Sequence, residues 1–161
     1  MSNLTTFEEI IEKVLDHEGG YVNDPVDPGK ETKYGISQKF NPKIDIKNLT
    51  VDQAKEIYYK KYWTPNKCDQ LPSHLRHFYF DTCVNQGAIK AIKILQRAVN
   101  NKSLTIIKVD GKIGPKTIAA SQDLELDRAK AYRIKAYIHT ITFNPRLEKY
   151  FYGWFRRVLE I

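Results

Sequence analysis

Three side chains in the first fifth of the chain have types and spacing that could cleave a glycosidic bond. Glu18 ends a predicted helix, Asp27 comes nine residues later in a proline-rich turn, and Thr32 follows five residues after that. Such cleavage uses one protonated carboxyl group to protonate the leaving oxygen, and one carboxylate to activate water or stabilise positive charge. Glu18 fits the first role and Asp27 the second, and the Thr32 hydroxyl could orient the water. The spacing alone equally fits a solvated Glu18 and a turn-forming Asp27, so both interpretations stay open.

The position of Glu18 is electrostatically unusual. The negative end of a helix dipole disfavours a carboxylate by about 0.3–1 kcal/mol, so a purely structural helix end favours Lys or Arg. A proton donor would tolerate this cost. One pKa unit corresponds to about 1.4 kcal/mol, so apolar burial would have to add to the dipole before Glu18 became an acid at neutral pH.

One apolar stripe predicts the helix that carries Glu18. The stripe has helical spacing, with Thr5 or Thr6 as N-cap and Gly19-Gly20 as the stop. Its members are Phe7, Ile10, Ile11, Val14 and Leu15. Residues 21–39 hold two prolines, two further glycines and turn-forming Asn and Asp, which predicts a folded loop or short β-ribbon.

The rest of the chain is patterned as helices, so the predicted fold class is mainly α. The predicted helices cover residues 50–62 (opened by a capping box at Thr50), 73–86, 88–100, 116–122, 124–142 and 146–159, and residues 105–114 are β-prone around a turn. In the fourth helix of the chain, Lys90, Lys93 and Arg97 share a face that we interpret as solvated surface. The last helix repeats apolar residues that we expect in the core, namely Tyr150, Phe151, Trp154, Phe155 and Val158.

Composition describes one compact basic domain. The 161 residues include 26 Lys+Arg and 19 Asp+Glu, for a net charge of +7, and 42% are hydrophobic, which excludes disorder for most of the chain. No apolar run approaches the roughly 20 residues of a membrane span, and residues 1–9 do not resemble a secretory signal. We therefore expect a monomer made in the cytoplasm without a signal peptide and without stable membrane association.

Cysteines and histidines give no sign of a metal site. Cys68 and Cys83 are too few for a disulfide framework or a four-ligand zinc site, so we expect partly buried thiols outside any disulfide. His74 and His77 could share a helix face, but the chain has no HExxH motif, and ordinary surface or packed histidines explain them. We expect no metal and no other cofactor. Because Lys and Arg are spread along a chain without a zinc-finger, RNP or phosphate-binding motif, we also expect no nucleic-acid partner.

The residues around Glu18 form a longer motif. HEGGYVNDP at 17–25 is followed by DPG at 27–29, by Thr32, and by YGIS at 34–37. This string resembles the signature of glycoside hydrolase family 108, lysozyme-like N-acetylmuramidases found among phage endolysins and secretion-associated muramidases. The resemblance continues at Tyr62-Trp63 with Pro65, Phe80-Asp81-Thr82, Val84 to Gly87, Leu95-Gln96, Asp110 to Thr117, and Gly153-Trp154 with Arg157-Val158.

The resemblance implies a lysozyme-like catalytic region over residues 1–100 and a helical peptidoglycan-binding-like region over 101–161, packed together as one unit. It implies hydrolysis of the β-1,4 bond between N-acetylmuramic acid and N-acetylglucosamine in bacterial peptidoglycan. The family's catalytic Glu corresponds to Glu18, and its second acidic position and Thr to Asp27 and Thr32. The positive charge suits a polyanionic cell wall. A phage or prophage enzyme of this kind would reach the periplasmic wall through holin-type holes.

Four more residues are candidates for substrate binding. Tyr21 and Tyr34 belong to the matched string, and Asn85 and Gln86 could hydrogen-bond acetamido groups, although an internal polar network explains those amides as well. The chain departs from its relatives at Lys30, where they commonly have glycine. The Lys30 side chain restricts positive φ and adds charge beside the expected cleft.

Several alternatives stay open. Asp24 or Asp81 could replace Asp27 as the second carboxylate, although an Asx turn explains the first and pairing with an arginine the second. Similarity to phage-type lysozymes favours inversion at the anomeric carbon. Two other functions also fit: a lytic transglycosylase that uses Glu18 alone, and a non-catalytic wall-binding protein that adheres through residues 110–117.

Overall fold

Helices dominate the computed structural model, which describes residues 6–18, 20–23, 31–102, 104 and 106–161. Among them are seven α-helices and one small antiparallel sheet. The chain forms two compact units, Thr6–Pro65 and Asn66–Ile161. The predicted fold class, mainly α with a β-ribbon after the first helix, is confirmed. The division expected at residue 100 stays a prediction.

Helix α1 (Phe7–Glu18) opens the first unit, and its predicted apolar stripe is buried. Thr6 caps the helix: its Oγ1 accepts from the Glu9 N–H at 3.3 Å, and Glu9 Oε2 accepts from the Thr6 N–H at 3.1 Å. The Phe7 ring packs edge-on against Trp63 with ring centroids 5.3 Å apart. Capping and packing together fix where the helix begins and which face turns inward.

The predicted ribbon consists of three short antiparallel strands. They are β1 (Val22–Asn23), β2 (Glu31–Lys33) and β3 (Ile36–Ser37), in that order across the sheet. Tyr34 (φ 52°) and Gly35 (φ 72°) form a two-residue turn between β2 and β3. Positive φ at both positions matches the right-handed twist of the flanking strands. The Tyr58 hydroxyl donates to the Tyr34 carbonyl at 2.9 Å and supports this uncommon conformation of a non-glycine residue.

Helix α2 (Val51–Tyr58) begins at the predicted capping box. Thr50 Oγ1 accepts from the Gln53 N–H at 3.2 Å, and the Thr50 N–H donates to Gln53 Oε1 at 2.9 Å. The α-helix does not run to residue 62 as expected. It continues instead as a π-helical segment, Tyr59–Trp63, because the Thr64 N–H bonds the Tyr59 carbonyl five residues back.

The second unit contains the remaining α-helices, after a 3₁₀ turn at Cys68–Gln70. They are α3 (Ser73–Gln86), α4 (Ala88–Lys102), α5 (Pro115–Ala120), α6 (Leu126–Phe143) and α7 (Phe151–Glu160). The first four match their predicted bounds to within about two residues, which is the usual uncertainty of helix ends. Residues 78–83 of α3 are all buried. Six consecutive buried positions cover every side of a helix, so α3 is the central element of this unit.

The last helix and the β-prone segment differ from expectation. The predicted helix 146–159 is a 3₁₀ helix, Pro145–Tyr150, followed by α7. Of the five expected core residues only Val158 is buried; Tyr150 is 48% exposed and the others are half-buried, because α7 packs against its neighbours along one side only. Residues 106–114 contain no strand and turn at Gly111, where φ is 75°.

Cys68 and Cys83 form no disulfide, as predicted, and both thiols are completely buried rather than partly buried. Burial raises the pKa of Cys83 to about 12. In the part of the chain that the structure describes, no helix combines the length and the apolar character needed to cross a membrane.

Candidate functional site

The ribbon positions Thr32 relative to the helix that carries Glu18. Helix α1 ends at Glu18, and β1 begins four residues later. The antiparallel register pairs Thr32 with Val22, so their Cα atoms are about 4.5–5.5 Å apart. The fold thus returns Thr32 to the stretch of chain that directly follows Glu18. The side chain of Glu18, and Asp27 as a whole, lie outside the described residues.

Two other positions that the sequence analysis considered, Asp24 and Lys30, also lie outside the described residues. The candidate tyrosines are described. Tyr21 is 42% exposed, and its hydroxyl donates to Glu31 Oε1 at 3.0 Å, across the ribbon and next to Thr32 in sequence. Tyr34 is half-buried at the β2–β3 turn. The Lys33 Nζ lies over the Tyr34 ring, 5.5 Å from its centroid. Both tyrosines therefore lie beside β2, the strand that holds Thr32.

Asp81 is a structural ion-pair partner. Its carboxylate is 1% exposed and contacts the guanidinium groups of Arg133 (Nη1 to Oδ2, 2.7 Å) and Arg157 (Nη2 to Oδ1, 2.8 Å). Burial alone would raise the pKa of Asp81, but the two arginines more than offset it and hold the pKa below its usual value. For Asp81 the sequence analysis left two roles open, a second carboxylate in the cleft and an ion pair with an arginine. The structure shows the ion pair.

Asn85 belongs to the same polar network. Its Oδ1 accepts from the Tyr137 hydroxyl at 2.7 Å, and that hydroxyl also accepts from Arg133 Nε at 3.3 Å. The rest of the Asn85 side chain is exposed. Gln86 is half-buried and lines a groove with α4 and α6. The side-chain carbonyl of Asn85 is therefore part of an internal polar network, one of the two roles expected from the sequence. Gln86 instead faces the groove.

The segment 110–117 is held by one buried glutamine that the sequence analysis did not single out. Gln96 Nε2 donates to Asp110 Oδ1 at 2.9 Å, to the Lys112 carbonyl at 3.2 Å and to Thr117 Oγ1 at 3.2 Å, and its Oε1 accepts from the Gly111 N–H at 3.0 Å. A fully satisfied buried amide of this kind fixes a loop. The Asp, Gly and Thr of this motif thus have structural roles. Gln96 falls on the same face of α4 as Ile92 and Val99, and a polar residue among apolar ones was the available signal.

We searched the described residues for side chains that could bind a metal together. Among the residues that the structure describes, no three His, Cys, Asp or Glu side chains lie close enough together to hold an ion. His74 is exposed, and its Nε2 lies 2.8 Å from the Leu124 carbonyl oxygen, as in an ordinary surface histidine.

Comparison with known proteins covers nearly the whole chain. The family model Glycosyl hydrolase 108 matches residues 11–87, and the model Predicted Peptidoglycan domain matches residues 90–159. A solved structure of SagA from Brucella abortus is 30% identical, with a TM-score of 0.75, over 96% of this chain and 90% of that one. The chain belongs to glycosyl hydrolase family 108. A search of curated proteins finds no match.

This family 108 protein is a glycoside hydrolase that acts on peptidoglycan. Glu18 and Thr32 lie in the segment matched to the hydrolase family, and α4 to α7 lie almost entirely in the segment matched to the peptidoglycan domain. The junction between the two matches falls at the turn from α3 to α4, inside the second compact unit.

Proposed function

We propose that the protein is an N-acetylmuramidase that hydrolyses the β-1,4 bond between N-acetylmuramic acid and N-acetylglucosamine, with Glu18 as general acid. The observation that carries the proposal is the family 108 match over residues 11–87, in which α1 ends at Glu18 and the ribbon pairs Thr32 with the strand that follows. Within this matched segment, Glu18 at the end of α1 would supply the acid, and Thr32 on β2 would supply the hydroxyl group.

In the proposed reaction, Glu18 gives its proton to the glycosidic oxygen as the bond from that oxygen to the muramic C1 breaks. Asp27 stabilises the positive charge that develops at C1, or takes a proton from the water that attacks it, and Thr32 orients that water. The products are a free hydroxyl on N-acetylglucosamine and a reducing muramic acid. We propose the water-mediated, inverting course.

The proposed sugar contacts are Tyr21 and Tyr34 in the first unit. Tyr21 supports the role because nearly half of its surface is exposed while its hydroxyl is held by Glu31. Sugars stack on such partly fixed aromatic rings through their C–H faces. Asn85 and Gln86 in the second unit are the other proposed substrate-binding residues.

The proposal extends to where the protein works. We propose a monomeric, bacteriolytic enzyme of phage or prophage origin that acts on the periplasmic wall after holin-type release. The net charge of +7 supports attraction to a polyanionic wall, and that attraction should weaken as salt rises. Measuring the clearing of wall suspensions at low and high salt tests the salt dependence, and light scattering tests whether the protein is a monomer.

The deciding experiment measures the loss of turbidity of purified peptidoglycan and weighs the soluble products by mass spectrometry. Wild type should clear the suspension, and Glu18→Gln should be slower by about 10²–10⁴-fold, the usual contribution of a general acid. Asp16→Asn is the matched control, because it neutralises an exposed carboxylate of the same helix, two positions before Glu18, and should keep most of the activity.

Each other outcome points to a different function. Anhydro-muramic products together with a dispensable Asp27 would mean a lytic transglycosylase. Wall binding without clearing by wild type would mean a binding protein. A Glu18→Gln variant that clears as fast as wild type would show that Glu18 is not the acid.

A further inference from the structure

A basic groove lies between α4 and α6 in the second unit. It has a volume of about 290 Å³. Its lining consists of Gln86, Lys90, Lys93, Ile94, Arg97, Tyr132, Lys135, Ala136, His139 and Thr140. Nine of these ten residues lie in the segment 90–159 that matches the peptidoglycan domain.

The charge of this groove has one sign. Lys90, Lys93 and Arg97 project from successive turns of α4, and Lys135 faces them from α6. No described carboxylate lines the groove, and none of the four cations forms an ion pair within the described part of the chain. The face interpreted from sequence as solvated surface is therefore one wall of a concave site. Four like charges facing each other repel, and an anionic ligand would relieve that repulsion.

The groove also has apolar and amide parts. Ile94 and Ala136 supply aliphatic surface, and the Tyr132 ring lies 5.5 Å from the Lys135 Nζ. The Nε2 of Gln86 is buried and donates no hydrogen bond to any described residue. Since buried donors are nearly always satisfied, this amide nitrogen is suited to an acceptor on a bound molecule.

We propose that this groove binds the peptide stem of peptidoglycan. The stem is short and carries free carboxylates beside alanine methyl groups, so it matches a site with cations around an aliphatic floor, whereas the sugar backbone offers little charge. A flat anionic surface such as a membrane would not reach the floor of a concave site. The proposal rests on peptidoglycan as the polymer on which the protein acts, and not on which bond it cuts.

The test compares two variants with the same loss of charge. Arg97→Gln with Lys135→Gln removes one cation from each wall of the groove, and Arg146→Gln with Lys149→Gln removes an exposed arginine and lysine from the 3₁₀ helix before α7. Co-sedimentation with purified sacculi on ice gives the affinity, and thermal unfolding shows that both variants are folded. The groove variant should bind about tenfold more weakly than wild type and the control within about twofold, since two exposed ion pairs are lost only in the first.

Three further arms identify the ligand. Free stem tripeptide should compete with sacculi for wild type. Glycan strands freed of their peptides by an amidase, inorganic phosphate and phosphatidylglycerol vesicles should not compete. Equal binding by the two variants, competition by the peptide-free glycan strands as strong as by the tripeptide, or competition by phosphate or vesicles alone would each overturn the proposal. Clearing of the same sacculi at 37 °C is measured separately, so a failure of the muramidase proposal would not be mistaken for a failure of this one.

Discussion

The buried carboxylate of Asp81 gives the sharpest test of what holds the second unit together. Asp81→Asn keeps the shape of the side chain but removes the negative charge that contacts Arg133, which is fully buried, and Arg157, which is 16% exposed. Removing one partner of a buried ion pair costs about 3–5 kcal/mol. For a chain of this size each kcal/mol shifts Tm by about 2–4 °C, so the variant should melt roughly 6–20 °C below wild type.

The pH dependence of this difference has a definite sign. Because the pKa of Asp81 is lower in the folded protein than in the unfolded chain, its ion pairs stabilise the fold above the unfolded-state pKa of about 3.9. That stabilisation is lost as the pH falls through the lower, folded-state pKa. The Tm difference between wild type and Asp81→Asn should be complete at pH 7 and shrink below about pH 4.

Thermal unfolding followed by circular dichroism from pH 7 down to pH 3 measures both quantities. A third protein, in which Asp81→Leu is combined with Arg133→Met and Arg157→Met, should recover much of the lost stability, because a buried ion network replaced entirely by apolar groups is often neutral. A Tm difference of less than about 3 °C at pH 7, or one that stays constant to the lowest pH at which wild type is folded, would refute the reasoning.

Three further predictions concern single contacts. Gly111→Ala should destabilise the fold by about 2 kcal/mol in denaturant titrations, since alanine is strained at φ 75° and its Cβ would lie 2.9 Å from Ile89 Cγ2. Gly153→Ala is the contrasting variant: its Cβ would meet no atom within 4 Å, and it should stabilise α7 by up to about 1 kcal/mol. Thr50→Ala should lose about 1 kcal/mol in the same titrations because it removes one half of the α2 capping box; no change would mean that water replaces the cap. With its pKa raised to about 12, the Cys83 thiol should resist Ellman's reagent at pH 8 until guanidinium unfolds the chain, and rapid reaction in the native state would contradict its burial.

Local patterns predicted most of the helices but could not predict the contacts that join them. The stripe of α1, the capping box at Thr50 and the bounds of α3 follow from periodicity and capping within a few residues of chain. The Asp81–Arg157 pair joins residues 76 apart, and no local pattern signals it. The β-prone pattern of 106–114 was overridden in the same way, by the side chain of Gln96.

At the candidate site, too, the sequence indicated which residues matter, and the structure added where they lie. The type and spacing of Glu18, Asp27 and Thr32 suggested the chemistry, and the register of the ribbon added the position of Thr32. Exposure in the last helix was mispredicted because periodic aromatics show that a helix has two faces but not how much of the inner face a neighbour covers. The cations of α4 were likewise visible as a face, but only α6 makes that face one wall of a groove.

The two segments matched to families are not two packing units. Asp81 belongs to the hydrolase match and its partners Arg133 and Arg157 to the peptidoglycan match, yet the carboxylate contacts both guanidinium groups inside one unit. The six consecutive buried residues of α3 point the same way, because a helix buried on every side needs neighbours on every side, and α3 packs against α4 and α6. Without the helices that follow residue 87, α3 would expose that apolar surface and leave a carboxylate without its guanidinium partners. The part of the hydrolase segment that lies in α3 therefore depends on the peptidoglycan segment for its core, and the two can be expected to unfold together.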